Sequence, residues 1–417
     1  MKRLLKVSVL TGMLTLLRMF AGFIVAKVVA IYTGPSGLAL LGQIQNIITG
    51  LNGIINAPVS SGIVKYTAQN YIKGFEACSP WWRASIYWIS MLIAFILPIG
   101  LIFSRYISEW LLHDSSLSWI IIIIITFLPL SAIGTLCNSV INGQQQYRRF
   151  VFLGALSTII SSTCMVFFII IANLKGALLA AAIQSSIIGT VLFLFNIRQP
   201  WMKIKYWYGK KDPKARKDIA NYMLMAITGA IAGPTSIMLL RNTLISEVGW
   251  DKAGYWQAVW KISEVYLGVI TIALSTYYLP RLSSLSSNID AVIREINKTA
   301  KIIIPIVTAL AFIVYFLRDF VIWILFTNNF SPARELFSIQ LIGDVVKITS
   351  WLYAYPMLSQ GATKWFISSE IIFAIFLVLL GYLFIPIYGP QGANIAYLIN
   401  YSLYFIFVYL NIRNYSK

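Results

Sequence analysis

Seven charged side chains stand inside segments that are otherwise apolar: Arg18, Lys27, Arg241, Lys261, Glu264, Asp344 and Lys347. A charge at bilayer depth costs about 2.5–3.5 kcal/mol or more, so these groups should face a bundle interior or water. Lys261 and Glu264 are three residues apart, as are Asp344 and Lys347. Each pair therefore shares a helix face, where it can neutralise itself or offer its charges to a ligand. Arg18 has no acid on its own segment and lies near the middle of it. Its guanidinium keeps its proton and presents a planar fork suited to bidentate phosphate contact. Lys27 and Arg241 lie near segment ends, where snorkelling to headgroups and ligand contact both stay open. Five of the seven are cations, so the chemistry on offer is the binding of an anion.

Uncharged polar residues line up beside them. Gln45, Thr49, Asn52 and Asn56 recur at i, i+4, i+7 and i+11, one face of a helix. Gln257, Lys261, Glu264, Gly268, Thr271 and Ser275 form a second stripe. Thr11, Arg18 and Gly22 form a third, and Asn221, Thr228, Thr235 and Asn242 a fourth. Interhelical hydrogen bonding would account for one stripe. Four predict a hydrated cavity between two lobes, with amides and hydroxyls suited to sugars and cations suited to phosphate.

Catalytic machinery is missing. The single histidine, His113, falls in a short polar link, and Cys78, Cys137 and Cys164 form no pair pattern. No residues show metal-ligand spacing, and no G-x-x-x-x-G-K-[ST] loop is present. The expectation is a protein with no cofactor, no metal and no ATPase activity of its own.

The elements that must position these residues are membrane helices. Of 417 residues, 59% are hydrophobic and 11% charged, and the mean hydropathy is +0.77. A soluble domain cannot hide that much apolar surface. Twelve spans are predicted near 7–31, 38–63, 83–103, 119–141, 151–172, 176–197, 219–245, 254–279, 302–317, 336–359, 365–385 and 391–411. The β-branched run Ile120–Ile125 is expected to be helical, because a lone strand leaves its backbone unpaired in lipid, with Ile121–Ile124 facing lipid. Placing the N-terminus inside puts 23 of the 33 Lys and Arg residues on the inner side and five on the outer. That asymmetry places both termini in the cytoplasm.

The densest run of inner charge is Arg198–Asp218, where Trp201, Tyr206, Trp207 and Tyr208 are interleaved with eight cations. Flanked by spans, this stretch reads as a cytoplasmic tether with its rings at headgroup level, not as a nucleic-acid patch. Ser287–Asp290 resembles a capping box opening an amphipathic surface helix with Ile289, Val292, Ile293 and Ile296 on one face.

The halves repeat weakly. Gly176-Ala177 and Gly392-Ala393 are 216 residues apart, as are Lys65 and Arg281. The fold expected is therefore an all-α polytopic membrane protein of about 12 transmembrane helices in two pseudo-symmetric six-helix lobes. Residues 1–197 would form one lobe, 198–218 the linker and 219–417 the other.

Several stretches resemble the bacterial flippases for lipid-linked oligosaccharides, within the multidrug/oligosaccharidyl-lipid/polysaccharide exporter superfamily. They include Gly34-Pro35-Ser36-Gly37, Val64–Gln69, Gly254-Tyr255-Trp256-Gln257, Tyr278-Leu279-Pro280, Leu317–Phe320 and Leu341–Lys347. The resemblance is greatest to the translocases of O-antigen and enterobacterial common antigen repeat units, made in lipopolysaccharide and polysaccharide biosynthesis. It implies alternating access and a cationic cavity for an undecaprenyl-diphosphate-linked oligosaccharide, with the lipid tail left among membrane lipids. It implies the bacterial inner membrane as the location, and polysaccharide assembly proteins as partners. Arg18, Lys27, Arg241, Asp344 and Lys347 fall where similar flippases carry like charges, and Glu264 where an acid is usual; Lys261 departs from that pattern. A drug or small-solute antiporter of the same superfamily, or a membrane glycosyltransferase, are the alternatives.

Overall fold

The structure, a computed structural model, describes residues 2–210, 212–278, 281, 282, 285 and 288–415. Every regular element among them is helical. The long helices are α1 (Lys2–Asn56), α3 (Phe75–Ile102), α5 (Ser118–Gly143), α6 (Tyr147–Asn196), α7 (Pro213–Ala273), α8 (Ile289–Phe316), α10 (Phe337–Ser359), α11 (Thr363–Tyr388) and α12 (Pro390–Tyr415). Shorter ones are α2 (Ser61–Asn70), α4 (Ser104–Leu112) and α9 (Arg318–Leu325). Three of the long helices bend through a non-helical residue, α1 at Gly34, α6 at Ala172 and Asn173, and α7 at Gly249. Counting each bent helix as two segments yields the twelve expected spans. Seven described helices, two of them bent, are long and apolar enough to cross a membrane by length and composition. Helix α10 falls outside that set because Gln340, Asp344 and Lys347 dilute its apolar content.

The bends carry the internal repeat in the backbone itself. Gly34 (φ 66°, ψ −166°) and Gly249 (φ 82°, ψ 170°) share one conformation 215 positions apart. Asn173 (φ 45°, ψ −126°) and Gly389 (φ 58°, ψ −137°) do the same 216 apart. Phe103 and Leu317, which separate α3 from α4 and α8 from α9, also match, at (−90°, 5°) and (−92°, 6°). A side chain at Gly176 would meet the Phe168 carbonyl, and one at Gly392 the Phe384 carbonyl, both pairs 216 apart. Glycine is needed there because helix and turn approach too closely for a Cβ.

By their contacts the residues fall into two compact units, Met1–Val28 with Gln43–Pro234, and Val29–Gly42 with Thr235–Lys417. In the first, Ile55, Ile63, Trp82, Leu128, Val140 and Leu153 form the centre of a buried cluster. In the second, Leu267, Ile270, Val292, Ile296, Ile348 and Leu352 do so.

Two expectations change, and a third gains detail. Ile121 and Ile124 are 1% and 2% exposed, packed inside rather than facing lipid, whereas Ile122 is 40% exposed. The 3.6-residue period divides the isoleucine run between core and surface. The stretch after Asn288 is not a separate surface helix but the first turns of α8, with Val292 and Ile296 fully buried. Asn288 caps it, its Oδ1 accepting from the Ala291 N–H at 3.0 Å; Ser287, in the same motif, lies outside the described residues. The basic stretch expected as a tether is folded. It forms two short turns, Pro200–Met202 and Ile204–Tyr206, folded against α3. Trp207 stacks on Trp82 at 4.7 Å, Trp201 is 1% exposed, and the Arg83 guanidinium donates to the Lys205 carbonyl at 2.6 Å. Trp81 and Trp88 donate their indole N–H groups to Asp218 and to the Arg216 carbonyl. The interleaved rings pack against α3; Tyr208, 85% exposed, is the exception.

Candidate functional site

In the second unit four predicted charges gather on two helices, α7 and α10, and α12 adds tyrosines beside them. Helix α10 carries Gln340, Asp344, Lys347 and Trp351 at i, i+4, i+7 and i+11, so all four share one face. The segment of α7 after Gly249 supplies Trp260, Lys261, Ser263 and Glu264, and α12 supplies Tyr397 and Tyr401.

Asp344 is fully buried and accepts from four donors. Ser263 Oγ and Tyr266 OH each lie 2.6 Å from Oδ2, and Tyr397 OH and Gln340 Nε2 lie 2.9 and 3.1 Å from Oδ1. A buried carboxylate is tolerated where its lone pairs are met in this way. It ties α7, α10 and α12 together at one atom pair. Lys347 does not pair with it. The Lys347 ammonium stands 5.0–5.5 Å from the ring centres of Trp260, Trp351, Tyr397 and Tyr401, and makes no hydrogen bond or ion pair among the described residues. Ring faces attract a cation, and the effect strengthens as water is removed.

The second predicted pair does form: Lys261 Nζ lies 3.2 Å from Glu264 Oε2, with the Glu264 side chain half exposed. The other oxygen of Glu264 accepts from the Trp260 indole at 3.0 Å. A cavity of about 160 Å³ opens here. Trp260, Glu264, Thr271, Gln340, Lys347 and Trp351 are among the residues that line it. Thr271 bonds back to the Gly268 carbonyl at 2.9 Å, and the side chain of Ser275 lies outside the described residues.

Gln257 and Arg241 are also in this unit but sit apart from that cavity. The buried Arg241 guanidinium donates to Gln257 Oε1 and lies over the Trp256 ring at 5.6 Å. Trp256 in turn donates to Asn394, which holds the Leu336 carbonyl at 2.9 Å.

In the first unit, Arg18 is exposed on α1 and makes no hydrogen bond or ion pair among the described residues. Met13, Leu16, Phe20 and Ile24 are also exposed, but at 100° per residue they form an apolar stripe on the opposite face. Arg18 therefore lies on the face of α1 opposite that apolar stripe. Lys27 falls in register with Phe20, Ile24 and Ile31 instead, on the apolar side. On the second segment of α1, Thr49 bonds back to the Gln45 carbonyl, and Asn56 reaches Ser131 at 3.4 Å. Asn52 Oδ1 and Asn56 Oδ1 are buried with no partner among the described residues. In the fourth stripe Thr228 bonds back to Leu224, and the side chain of Asn221 lies outside the described residues.

The sequence reading missed Gln340, Trp351, Tyr397 and Tyr401. A signal existed, because Gln340 and Trp351 extend the Asp344–Lys347 spacing by one turn each way. It was hidden because Trp and Tyr at helical spacing look the same as ordinary packing.

No protein-family profile matches the chain. It is 29% identical over 409 residues to the lipid III flippases of Escherichia coli (strain K12) and Shigella flexneri, covering 96% of each chain. Among solved structures, an inward-facing MATE family multidrug resistance transporter of the MOP superfamily superposes with a TM-score of 0.78 at 12% identity, over 98% of both chains. A MOP superfamily transporter from Pyrococcus furiosus superposes at 0.69, 14% identity, over 99% of this chain and 96% of that one. These relatives are named as transporters, not enzymes. The chain is a multi-pass membrane protein with the fold of the MOP superfamily transporters, and along nearly its whole length it resembles the lipid III flippases.

Proposed function

We propose that the chain is a flippase that moves undecaprenyl-diphosphate-linked oligosaccharide repeat units from the inner to the outer leaflet of a bacterial inner membrane by alternating access. The name of its curated relatives and their even coverage along the chain support this reading. The observation that carries it in the structure is Arg18, a permanent cation at mid-helix with no acid beside it, exposed away from the apolar stripe. Such a group needs an anion, and a diphosphate matches its forked geometry. Multidrug transporters share the fold, but at 12–16% identity that likeness extends to architecture alone. A cavity whose free charge is a lysine is poorly suited to cationic drugs. The termini and residues 198–218 face the cytoplasm in this reading, and polysaccharide assembly proteins are the expected neighbours.

The test is reconstitution. Purified protein in liposomes should move fluorescent undecaprenyl-diphosphate oligosaccharides to the far leaflet, read as loss of signal to an impermeant quencher. No movement of any of several repeat units by folded protein would overturn the proposal. On a background without Cys78, Cys137 and Cys164, single cysteines in 198–218 should resist impermeant thiol reagents added outside intact cells.

A further inference from the structure

We propose that the cavity of the second unit is a subsite for a single sugar ring, stacked on Trp260 and Trp351 and held by Gln340 and Lys347. The proposal deepens the flippase reading by assigning part of the headgroup to this cavity, and it rests on that reading for its biological role only.

Three observations lead to it. First, Gln340, which lines the cavity, is fully buried, and its Oε1 has no partner among the described residues. The amide orientation follows from Asp344, because an ionised carboxylate accepts and takes the Nε2 donor. The oxygen is left as an acceptor, and an unmet buried acceptor calls for a ligand that donates. Second, the Lys347 ammonium has rings around it but, among the described residues, no oxygen that receives its N–H groups. It calls for a ligand that accepts. Third, the indoles of Trp260 and Trp351 line the cavity with these groups, and its volume of about 160 Å³ is the scale of one ring rather than of an oligosaccharide.

A pyranose meets all three demands. Its C–H face is apolar and stacks on an aromatic ring, while its rim hydroxyls both donate and accept. Glu264 Oε1, already receiving the Trp260 N–H, fixes that indole so that its face is presented in one orientation. Asp344 acts at one remove, as the residue that positions the Tyr397 hydroxyl and the Gln340 amide. A lipid chain or a free phosphate fits less well, since neither both donates to Gln340 and stacks.

The experiment uses the whole purified protein in detergent and soluble probes: N-acetylglucosamine, glucose and glucuronate, with glycerol and inorganic phosphate as controls. Saturation-transfer NMR should show ring C–H protons of at least one sugar in contact with protein, and none for glycerol. Trp351→Ala should lower that signal at least threefold. Gln340→Leu, which keeps the stacking walls, should weaken the apparent affinity about tenfold. A Lys347→Met loss confined to glucuronate marks an acidic sugar, and an equal loss for all three marks a neutral one. Retained elution profile and unfolding midpoint separate these effects from misfolding, and Thr271→Val serves as a second variant where Trp351→Ala does not fold. No saturation transfer to any sugar, or transfer unchanged in both Trp351→Ala and Gln340→Leu, overturns the subsite. Liposome transport read in parallel distinguishes the two proposals, because transport with no sugar contact sinks the subsite alone.

Discussion

Arg18 and Arg241 are the two arginines within the spans, and the structure uses them differently. Arg241 is 1% exposed, bonded to Gln257 and laid over Trp256, whose own N–H is held by Asn394. It is built into a chain of packed groups. Arg18 is exposed, with the Gly154 backbone beside it and no acceptor among the described residues. A guanidinium cannot lose its proton to escape a buried site, so each must be satisfied in another way. Arg241 finds partners in its own unit, and Arg18 has none among the described residues. Charge at membrane depth therefore does not by itself tell a cation packed among partners from one without them; the partners decide.

Exchanging the readouts is the strongest way to break that comparison. Arg18→Ala should reduce liposome transport at least 30-fold, matching the loss of about 2–5 kcal/mol expected for one side of a desolvated charged contact. Its unfolding midpoint should stay near wild type, and Arg18→Lys should keep part of the activity. Normal transport by folded Arg18→Ala would leave the diphosphate contact without support. Arg241→Ala should act mainly on folding, at about 2–4 kcal/mol, because it opens a cavity and removes the donor to Gln257. A folded Arg241→Ala with wild-type midpoint and no transport would erase the distinction between the two.

Gln257→Leu sharpens the contrast from the acceptor side. Removing one acceptor from the buried guanidinium should cost about 1–2 kcal/mol, seen as a lower midpoint in detergent. The smallest effect belongs to a cation outside the membrane. Lys205 bonds Glu76 at 3.3 Å in the open, and this contact, followed by Tyr206, holds its ammonium above the ordinary lysine range. A raised value means that any stabilisation is present below the unfolded pKa and fades as pH climbs through the alkaline range. Water and salt screen a pair this exposed, so Lys205→Ala should leave the midpoint unmoved between pH 7 and 9.

Much of the fold was legible because lipid is a strict solvent. With no water to bond the backbone, each apolar run of span length has to be helical, and predicted spans such as 119–141 and 336–359 lie within two residues of the observed helices. The offset of 216 was visible in Gly176 and Gly392, and it proves to mark matched turns. One match was hidden: Gln145 and Gly361, also 216 apart, both take positive φ, at 57° and 69°. A glutamine does not advertise a left-handed turn, so sequence alone passed over it. The site was less legible. Spacing placed Asp344 and Lys347 on one face and suggested a pair, yet the lysine sits among rings and the aspartate among hydroxyls.

Composition, hydropathy and the distribution of lysine and arginine determined by themselves that the chain is a bundle of membrane helices carrying cations at depth. Those properties follow from transfer free energies, which depend on residue type and only weakly on neighbours. Tertiary structure decided which isoleucines pack, that the basic stretch docks on α3, and which charges keep a free valence. Those outcomes depend on which side chains from distant segments meet, such as Gln340 with Asp344 or Arg241 with Gln257. Helical spacing can place a residue on a face, but only packing supplies the partner across from it.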